Sequence, residues 1–188
     1  RGGLEEFPIP VSTPGWDVAP YMTSPYWVTK DPESGIRNVG TYRAQIKARD
    51  RAGVYVAKYF RGIAYHWRKC RNLGKPLEAA VIIGAPPNVG YTSVSQLPTD
   101  VDEYNVAGGI AGEPVELVKC KTVDLEVPAH SEIVVEGEIS TEEVELEAPF
   151  GEATGYVGQR EAGLIFNVKC ITHRQAPIWQ SFISQFPP

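Results

Sequence analysis

The clearest polar and apolar alternation in the chain lies in residues 39–48, VGTYRAQIKA. Polar Thr41, Arg43, Gln45 and Lys47 alternate there with Tyr42, Ala44, Ile46 and Ala48. Successive side chains of a strand point to opposite faces, so this period of two predicts one strand with a polar face. Arg43 then points away from Tyr42. The turn RDRAG and the run VYVA predict a returning partner strand.

A helical period replaces the alternation in the next segment. Ile63, Trp67 and Cys70 recur at the spacing of one helical face, which predicts a helix from about residue 60 to residue 73. The apolar run LEAAVIIGAPP then predicts a buried strand that ends at a loop containing Gly and Pro.

The C-terminal half is dominated by short β-rich runs. Before them, Thr99 or Asp100 is expected to cap a short helix through VDEYNVAGGIAG. Runs rich in β-branched residues follow between Pro, Gly and acidic turns: ELVKCKTV, EIVVEGEIS, EVELEA and GLIFNVKCITHR. This profile predicts a mostly β fold of the α+β class, an antiparallel barrel with two attached helices.

The first residues show neither period. Residues 1–28 are rich in Pro, Gly and aromatics, so we expect an extended segment that lies on other structure. The whole chain has 188 residues and is 43% hydrophobic, which suits one sizeable core. We therefore expect a single domain over residues 29–188.

Charge and apolar run lengths restrict the possible partners. A net charge of -5 with scattered Lys and Arg offers no basic face to nucleic acid. No apolar run reaches the roughly 20 residues of a membrane helix, and the N-terminus has no signal-peptide pattern. We therefore expect a cytoplasmic protein without nucleic-acid or membrane partners. Cys70, Cys120 and Cys170 form no metal-binding spacing and are expected to be buried thiols.

Two carboxylates flank a Pro-Phe-Gly turn in EAPFGE. Two acids that share one pocket raise the pKa of at least one of them, so Glu147 or Glu152 could hold a proton at neutral pH. An arginine at the same place would keep the other ionised, and Arg43 is a candidate. The alternative is a solvated charge run, because residues 132–152 carry many acids.

Asn38 and Glu136 have simple structural explanations as a turn residue and an exposed strand charge. An amide carbonyl and a carboxylate would also suit a hard cation that holds a phosphate, although the sequence alone does not bring them together. His66 and His173 are isolated histidines, which are more often hydrogen-bonded structural residues than ligands or bases.

Four ordered stretches together resemble the UbiD family of decarboxylases, which use prenylated FMN. They are TKDPESGIRNVGTYRAQ, GKPLEAAVIIGAPP, GEPVELVKCKTVDLEVPAHSEIVVEGEI and EAPFGEATGY, within residues 29–174. The resemblance implies a split β-barrel flavin-binding domain, which family members carry in a considerably longer chain. It also implies a Glu-Arg-Glu catalytic set at Arg43, Glu147 and Glu152, with Ala148 where the family pattern has Gly.

By the same resemblance, Glu152 donates a proton to the substrate carbon, Arg43 orients the substrate carboxylate and supports Glu147, and the cofactor is the electron sink. The flavin phosphate is held through Mn²⁺ or Mg²⁺, with K⁺ nearby, and Asn38 and Glu136 match two of the metal ligands. The other expected cofactor-binding residues are Thr41, Tyr42, Arg43, Arg61, Ser93 and Ser95.

The third metal ligand of the family is a histidine, and the stretch YFRGIAYH departs from that pattern. It has Arg61-Gly62 at the matching place. Arg61 could face the phosphate directly, or His66 could reach back from one helical turn further along. Both alternatives stay open at the level of sequence.

The resulting hypothesis is a reversible, non-oxidative decarboxylase of an aromatic or α,β-unsaturated carboxylic acid. A flavin prenyltransferase would supply the cofactor, and the chain is expected to form a homo-oligomer or to join a partner subunit. The alternative is a flavin-binding subunit or isolated core domain with little activity alone. A plain β-barrel interaction module would leave the four ordered stretches unexplained.

Overall fold

A computed structural model describes residues 2–57, 62–159 and 161–184. The strands are β1 (Tyr21–Met22), β2 (Tyr26–Lys30), β3 (Arg37–Thr41), β4 (Ala44–Ala48), β5 (Arg51–Val54), β6 (Leu77–Ile83), β7 (Leu117–Lys119), β8 (Glu126–Pro128), β9 (Ile133–Leu146), β10 (Phe150–Gly151), β11 (Val157–Gly158) and β12 (Ala162–His173). The helices are α1 (Gly62–Asn72), α2 (Pro87–Ser93) and α3 (Glu103–Ala111). No described helix is long and apolar enough to cross a membrane.

Eight strands form one antiparallel sheet in the order β1-β4-β5-β12-β9-β6-β2-β3. Strand β3 is therefore at one edge and β4 is next to the other, yet only Tyr42 and Arg43 separate them in the chain. Six strand spacings would put them about 29 Å apart in a flat sheet. Three peptide steps reach only about 11 Å. The sheet must therefore curl into a half-barrel that brings β3 back towards β4.

Hydrogen bonds hold the chain at this two-residue corner. The Nε1 of Trp27 donates to the main-chain oxygen of Tyr42 over 2.8 Å. The main-chain nitrogen of Tyr55 donates to the main-chain oxygen of Arg43 over 3.2 Å. Trp27 is fully buried, and its ring packs edge-on against Phe166 at 5.1 Å. The corner is thus anchored to the main core.

Each face of the sheet packs against its own helices. One core combines residues such as Trp27, Val81 and Phe166 with Ile63 of α1. The other combines residues of the opposite face, including Val28, Val39, Ala80 and Val134, with α2, α3 and the β7–β8 hairpin. The expected class, a mostly β fold with attached helices, is confirmed.

Several element boundaries differ from the sequence prediction. The strand predicted over residues 39–48 is two strands, β3 and β4, because the chain changes partners at the corner. Two runs predicted as separate strands form the single 14-residue β9. Helix α2 was not predicted, so the described residues contain three helices instead of two. The helix expected over residues 60–73 is present as α1, and its predicted start lies outside the described residues.

The expected boundary after residue 28 falls inside β2, which pairs with both β3 and β6. The sequence analysis assigned no regular strand to this part of the chain, which contains β1 and the start of β2. Four of the five residues of β2 are buried, so the strand has no polar alternation to reveal it. The only regular element within the described residues 2–20 is a short 3-10 helix, Leu4–Glu6.

The first testable prediction concerns the corner. Replacing Trp27 with Phe removes the donor to Tyr42 and leaves a cavity. It should lower the free energy of unfolding by about 3 kcal/mol. Chemical denaturation measures this loss. The control is Trp16→Phe, since that side chain is 65% exposed and should change stability by less than about 0.5 kcal/mol. Equal effects of the two substitutions would contradict the assigned role of Trp27.

Candidate functional site

A cavity of about 300 Å³ lies along the free edge of β3. Its walls come from β3, the first turns of α1, and the segment of residues 93–103 that leads into α3. Strand β3 has no neighbour in the sheet on this side, so main-chain groups of the strand face the cavity region. A concave site of this size at the junction of helices and a sheet edge is typical of ligand binding.

Asn38 and Glu103 form the polar centre of this cavity. The Nδ2 of Asn38 donates to Glu103 Oε1 over 2.7 Å, and the main-chain nitrogen of Val39 donates to Glu103 Oε2 over 2.9 Å. Glu103 is 6% exposed, and burial raises the pKa of its carboxyl. The Oδ1 of Asn38 is buried and has no hydrogen-bond partner among the described residues. A buried amide oxygen beside a carboxylate is an oxygen donor set that suits a hard cation.

Sequence reasoning missed Glu103. It is the first residue of α3, and the cap is Asp102, whose side chain accepts from the main-chain nitrogen of Tyr104. The predicted cap at Thr99 or Asp100 was therefore wrong by two or three residues. An acid in the first helical turn is ordinarily explained by the helix dipole, so nothing in the local sequence marked Glu103 as a site residue.

The structure contradicts the predicted pairing of Asn38 with Glu136. Glu136 belongs to β9, which is separated from β3 by β6 and β2, about 14 Å across the sheet. The side chain of Glu136 also points to the other face of the sheet. Glu136 pairs with Ala80, which belongs to the second core, whereas Asn38 pairs with Thr29, the neighbour of Val28 in that core. Because neighbouring residues of a strand point to opposite faces, Glu136 and Asn38 lie on opposite sides of the sheet.

Glu136 has a structural role instead. It is 1% exposed, and its carboxylate accepts hydrogen bonds from the main-chain nitrogens of Lys121 and Thr122 and from the hydroxyl of Thr122, at 2.6 to 2.9 Å. These bonds compensate for the burial of the charge and fix the loop between β7 and β8. The prediction of an exposed strand charge was also wrong, because this face of β9 is covered.

Four of the other predicted cofactor-binding residues line the cavity: Thr41, Tyr42, Ser93 and Ser95. The hydroxyls of Thr41 and Ser93 are 2.7 Å apart, and Ser93 also donates to the main-chain oxygen of Gly90. Ser95 donates to the main-chain oxygen of Tyr91. Of the remaining two, Arg43 lies next to the cavity, and Arg61 lies outside the described residues.

Gly62 leaves space for the cavity at the start of α1. Its φ is +54°, a conformation that side chains disfavour. A Cβ there would come within 2.2 Å of the Tyr42 hydroxyl and 2.9 Å of Asn38 Oδ1. Any larger residue would therefore displace Tyr42 and crowd the unpaired amide oxygen of Asn38.

Arg43 joins two carboxylates next to the cavity. Its Nε and Nη2 donate to the two oxygens of Glu147 over 2.9 and 2.7 Å, and its Nη1 donates to Glu152 Oε1 over 2.7 Å. The side chain of Glu147 is 1% exposed, and that of Glu152 is 42% exposed. The structure thus brings together the three residues that were predicted to be catalytic, with Glu152 as the solvent-facing member.

Burial and ion pairing act in opposite directions on this cluster. Burial raises the pKa of Glu147, although Arg43 opposes that shift. Burial alone would lower the pKa of Arg43, but its bonds to both carboxylates raise it above the ordinary value. Arg43 therefore remains a cation, and its three occupied N–H groups leave two of the five donors for another acceptor.

The turn that carries Glu147 and Glu152 is fixed from three sides. Gln45 Oε1 accepts from the main-chain nitrogen of Ala148 over 3.1 Å, and the Tyr21 hydroxyl donates to the main-chain oxygen of Ala148 over 3.0 Å. Asp17 Oδ1 accepts from the main-chain nitrogen of Gly151 over 3.2 Å. The N-terminal residues therefore help to place the candidate catalytic turn, and Ala148 is accommodated without positive φ.

The corner residues connect the cavity to this charged cluster. Tyr42 lines the cavity, and the next residue, Arg43, makes the ion pairs. A ligand that extends along β3 from Asn38 towards Arg43 would therefore meet oxygen donors at one end and a guanidinium with two carboxylates at the other. This arrangement suits a ligand that holds a cation at one end and meets a charged cluster at the other.

His66 lies on the wall of the same cavity. It is 5% exposed, and its Nδ1 is 2.9 Å from the Thr29 hydroxyl oxygen. Burial lowers its pKa to about 4, so the imidazole is neutral at physiological pH. The described residues contain no cluster of three or more His, Cys, Asp or Glu side chains placed to hold a metal. The alternative in which His66 reaches a bound cation stays a prediction.

Comparisons with known proteins agree with the geometry. The family model described as UbiD, 3-octaprenyl-4-hydroxybenzoate carboxy-lyase Rift-related domain, matches residues 2–187. An uncharacterized protein of Aquifex aeolicus is 43% identical over 186 residues, which cover 98% of this chain and 38% of the relative. The predicted resemblance is confirmed.

Two groups of solved structures are similar in fold and sequence. An evolved dimeric form of the UbiD-class enzyme HmfF from Pelotomaculum thermopropionicum, in complex with prFMN, superposes with a TM-score of 0.90 and 38% identity. It covers 95% of this chain and 41% of that chain. Vanillic acid decarboxylase from Sedimentibacter hydroxybenzoicus, in closed form, gives a TM-score of 0.83 and 36% identity over 88% of this chain and 36% of that chain. The chain thus spans about two fifths of the length of these relatives.

The second testable prediction follows from the buried His66. Its pKa is about 4 in the folded protein and about 6.5 in the unfolded chain. Between these values the unfolded chain binds a proton that the native state does not, so stability falls as the pH is lowered through this window. The resulting loss in the free energy of unfolding reaches about 3 kcal/mol near pH 4 and vanishes above about pH 7.

Urea denaturation at pH 7.5 and pH 4.5 measures this effect. His66→Asn should reduce the loss of stability between the two pH values, because Asn does not titrate. His130→Asn is the matched control, since that side chain is 65% exposed. If His66→Asn loses as much stability between pH 7.5 and pH 4.5 as the wild type, His66 is not the buried titrating group.

Proposed function

Because this chain belongs to the UbiD family of carboxy-lyases, we propose that it forms the catalytic, cofactor-binding part of a decarboxylase. The proposed cofactor is prenylated FMN, and the proposed substrate is an aromatic or α,β-unsaturated carboxylic acid that loses CO₂ reversibly and without oxidation. The observation that carries this proposal is the cluster of Arg43, Glu147 and Glu152 beside a polar cavity. A substrate carboxylate needs a fixed cation, and the carbon left behind needs a proton donor.

Arg43 is suited to hold the substrate carboxylate. Glu147 occupies the Nε and Nη2 edge of the guanidinium and is buried, whereas Glu152 is held by a single Nη1 contact and is partly exposed. An incoming carboxylate would compete with Glu152 and leave Glu147 in place. The bidentate pair keeps one edge of the guanidinium on Glu147, as a lysine ammonium would not.

Glu152 is the proposed proton donor. When the bond between the substrate carbon and its carboxylate breaks and CO₂ leaves, the electron pair of that bond stays with the substrate, and prenylated FMN, when bound, would supply the electron sink for this pair. Displacement from Arg43 frees the Glu152 carboxyl to approach the substrate carbon that needs the proton. Its exposed face allows solvent to restore the proton.

The residues at Asn38 fit a cation that would hold the flavin phosphate. Asn38 supplies a buried oxygen without a partner among the described residues, and Glu103 supplies a buried carboxylate. These oxygen donors suit Mn²⁺ or Mg²⁺. Glu103 therefore takes the place that the sequence had assigned to Glu136. The additional K⁺ remains part of the proposal, and no described residue is assigned to it.

Partners and cellular place are also proposals. A flavin prenyltransferase would supply the cofactor, and the cytoplasm would be the compartment. One similar structure is a dimeric form of HmfF, which supports a homo-oligomer or a partner subunit for this chain. A second candidate function is a flavin-binding subunit with little activity alone.

The third testable prediction concerns the cation ligands. Binding of FMN with Mn²⁺ should raise the melting temperature, with about 3 kcal/mol of stabilisation at ligand concentrations near 100 times the dissociation constant. Glu103→Gln should lose the part of that shift that depends on Mn²⁺, because the amide lacks the negative charge. Thermal unfolding with FMN alone and with FMN plus Mn²⁺ separates the two contributions.

Glu136→Gln is the matched control for this experiment. It should lower the melting temperature of the ligand-free protein, because the Lys121–Thr122 loop loses its charged acceptor. It should keep the full Mn²⁺-dependent shift. The opposite pattern, with the shift lost in Glu136→Gln and kept in Glu103→Gln, would contradict the assignment of Glu103.

The fourth testable prediction concerns proton donation. With prenylated FMN bound, Glu152→Gln should lower decarboxylation about a hundredfold to ten-thousandfold, since the amide keeps its shape but cannot deliver a proton. Flavin absorbance should be unchanged. The assay uses cinnamic, hydroxybenzoic and heteroaromatic acids under anaerobic conditions, with deuterium incorporation from D₂O as a second readout.

Glu142→Gln serves as the control, because Glu142 is an exposed carboxylate of β9 outside the cluster. Turnover within threefold of wild type in Glu152→Gln would show that another group donates the proton. A loaded wild-type chain without turnover on any acid would instead favour the flavin-binding subunit.

A further inference from the structure

Three aromatic side chains lie close to the guanidinium of Arg43 or to one another in the candidate catalytic cluster. The guanidinium carbon of Arg43 lies 4.3 Å from the centre of the Tyr55 ring and 4.8 Å from the centre of the Phe150 ring. Phe150 in turn contacts Tyr21, with ring centres 4.4 Å apart. Arg43 therefore has aromatic neighbours on β10 and on the chain just after β5, in addition to its two carboxylates.

The ion pairs alone do not determine how the guanidinium is oriented. Glu147 binds one edge through two oxygens, but a carboxylate and a guanidinium can keep that contact while they swing together as a hinge. Glu152 adds only one bond and is 42% exposed. Aromatic rings close to the guanidinium restrict this swing and add cation–π attraction, which is larger where water is excluded.

Both rings are themselves held in place. Phe150 is 4% exposed, and its strand pairs with β11. The hydroxyl of Tyr55 is hydrogen bonded to Glu161, and this bond raises the pKa of Tyr55 to about 12. The main-chain oxygen of Glu161 also accepts from the main-chain nitrogen of Glu147 over 2.6 Å. Tyr55 and Glu147 are thus tied to the same residue.

We propose that Tyr55 and Phe150 are positioning residues that fix the guanidinium of Arg43. One edge of the guanidinium then stays on Glu147, and Nη1 stays directed at Glu152. A substrate carboxylate would replace Glu152 at this place. The replacement of Glu152 by a substrate carboxylate rests on the proposed function, whereas the positioning of Arg43 by the two rings does not. The ring face is the part of Tyr55 that matters, and its hydroxyl serves to hold the ring on Glu161.

The experiment measures how fast phenylglyoxal modifies individual arginines of the flavin-free protein, by mass spectrometry of peptides. Arg37 is the internal reference, because it too is paired with two acids, Asp102 and Glu126, and lies 5.2 Å from the Tyr104 ring. General loosening of the fold would accelerate both arginines. Loss of positioning would accelerate Arg43 alone.

Tyr55→Leu should accelerate modification of Arg43 about tenfold, which corresponds to about 1.4 kcal/mol of lost attraction. Arg37 should keep its rate. Tyr55→Phe keeps the ring and should stay within about twofold of wild type. Phe150→Leu should resemble Tyr55→Leu. This second position tests the proposal from the other ring.

Three results would overturn the proposal: an unchanged Arg43 rate in both leucine variants, equal acceleration of Arg37 and Arg43, or acceleration in Tyr55→Phe as large as in Tyr55→Leu. The last would assign the effect to the hydroxyl bond with Glu161. Because no flavin is present, the result is independent of the proposed reaction. If the protein fails to bind flavin but shows the expected modification rates of Arg43 and Arg37, the proposed function is contradicted and the positioning of Arg43 still holds.

Discussion

The two-residue connection between β3 and β4 is the constraint on which the rest of the structure depends. It joins strands from nearly opposite ends of the sheet order, so it requires the curled half-barrel. It also places Tyr42 on the cavity and Arg43 on the carboxylates, one residue apart. The architecture and the candidate site thus share one local cause. A longer connection would allow a flatter sheet and would separate the oxygen donors at Asn38 from the charged cluster.

Buried charge is the second constraint, and the chain meets it in three ways. Glu147 is paired with Arg43, Glu136 is bonded to main-chain nitrogens of a loop, and Glu103 accepts from β3. Removal of one partner from a buried ion pair typically costs about 3 to 5 kcal/mol, so the contact between Arg43 and Glu147 stabilises the fold as well as the candidate site. The Oδ1 of Asn38 is one of several buried polar atoms that have no hydrogen-bond partner among the described residues, and its place on the wall of the cavity needs an explanation. A bound cation provides one.

The fold was predictable from sequence where an element carries a clear pattern. Alternation identified β4, a helical period identified α1, and a long apolar run identified the buried β6. Strand β2 is buried along most of its length and short, so it has no such pattern and was missed. The charged cluster was not predictable from spacing, since Arg43 is 104 residues from Glu147 and 109 from Glu152. Residue types made Arg43 a candidate partner of the two acids, and the family resemblance assigned all three residues to one set. The same resemblance matched Glu136 to the metal ligand beside Asn38. The sequence shows neither which face of β9 carries Glu136 nor that α3 brings Glu103 to Asn38.

The central claim is that a cofactor phosphate end at Asn38 and a reactive end at Arg43 belong to one continuous site. The most direct test is X-ray diffraction from crystals grown with FMN and Mn²⁺, with anomalous data collected at the manganese absorption edge. The account predicts one anomalous peak within coordination distance of Asn38 Oδ1 and the Glu103 carboxylate, with flavin density that extends along β3 towards Arg43. A manganese peak beside Glu136, or flavin density outside the β3 cavity, would contradict it.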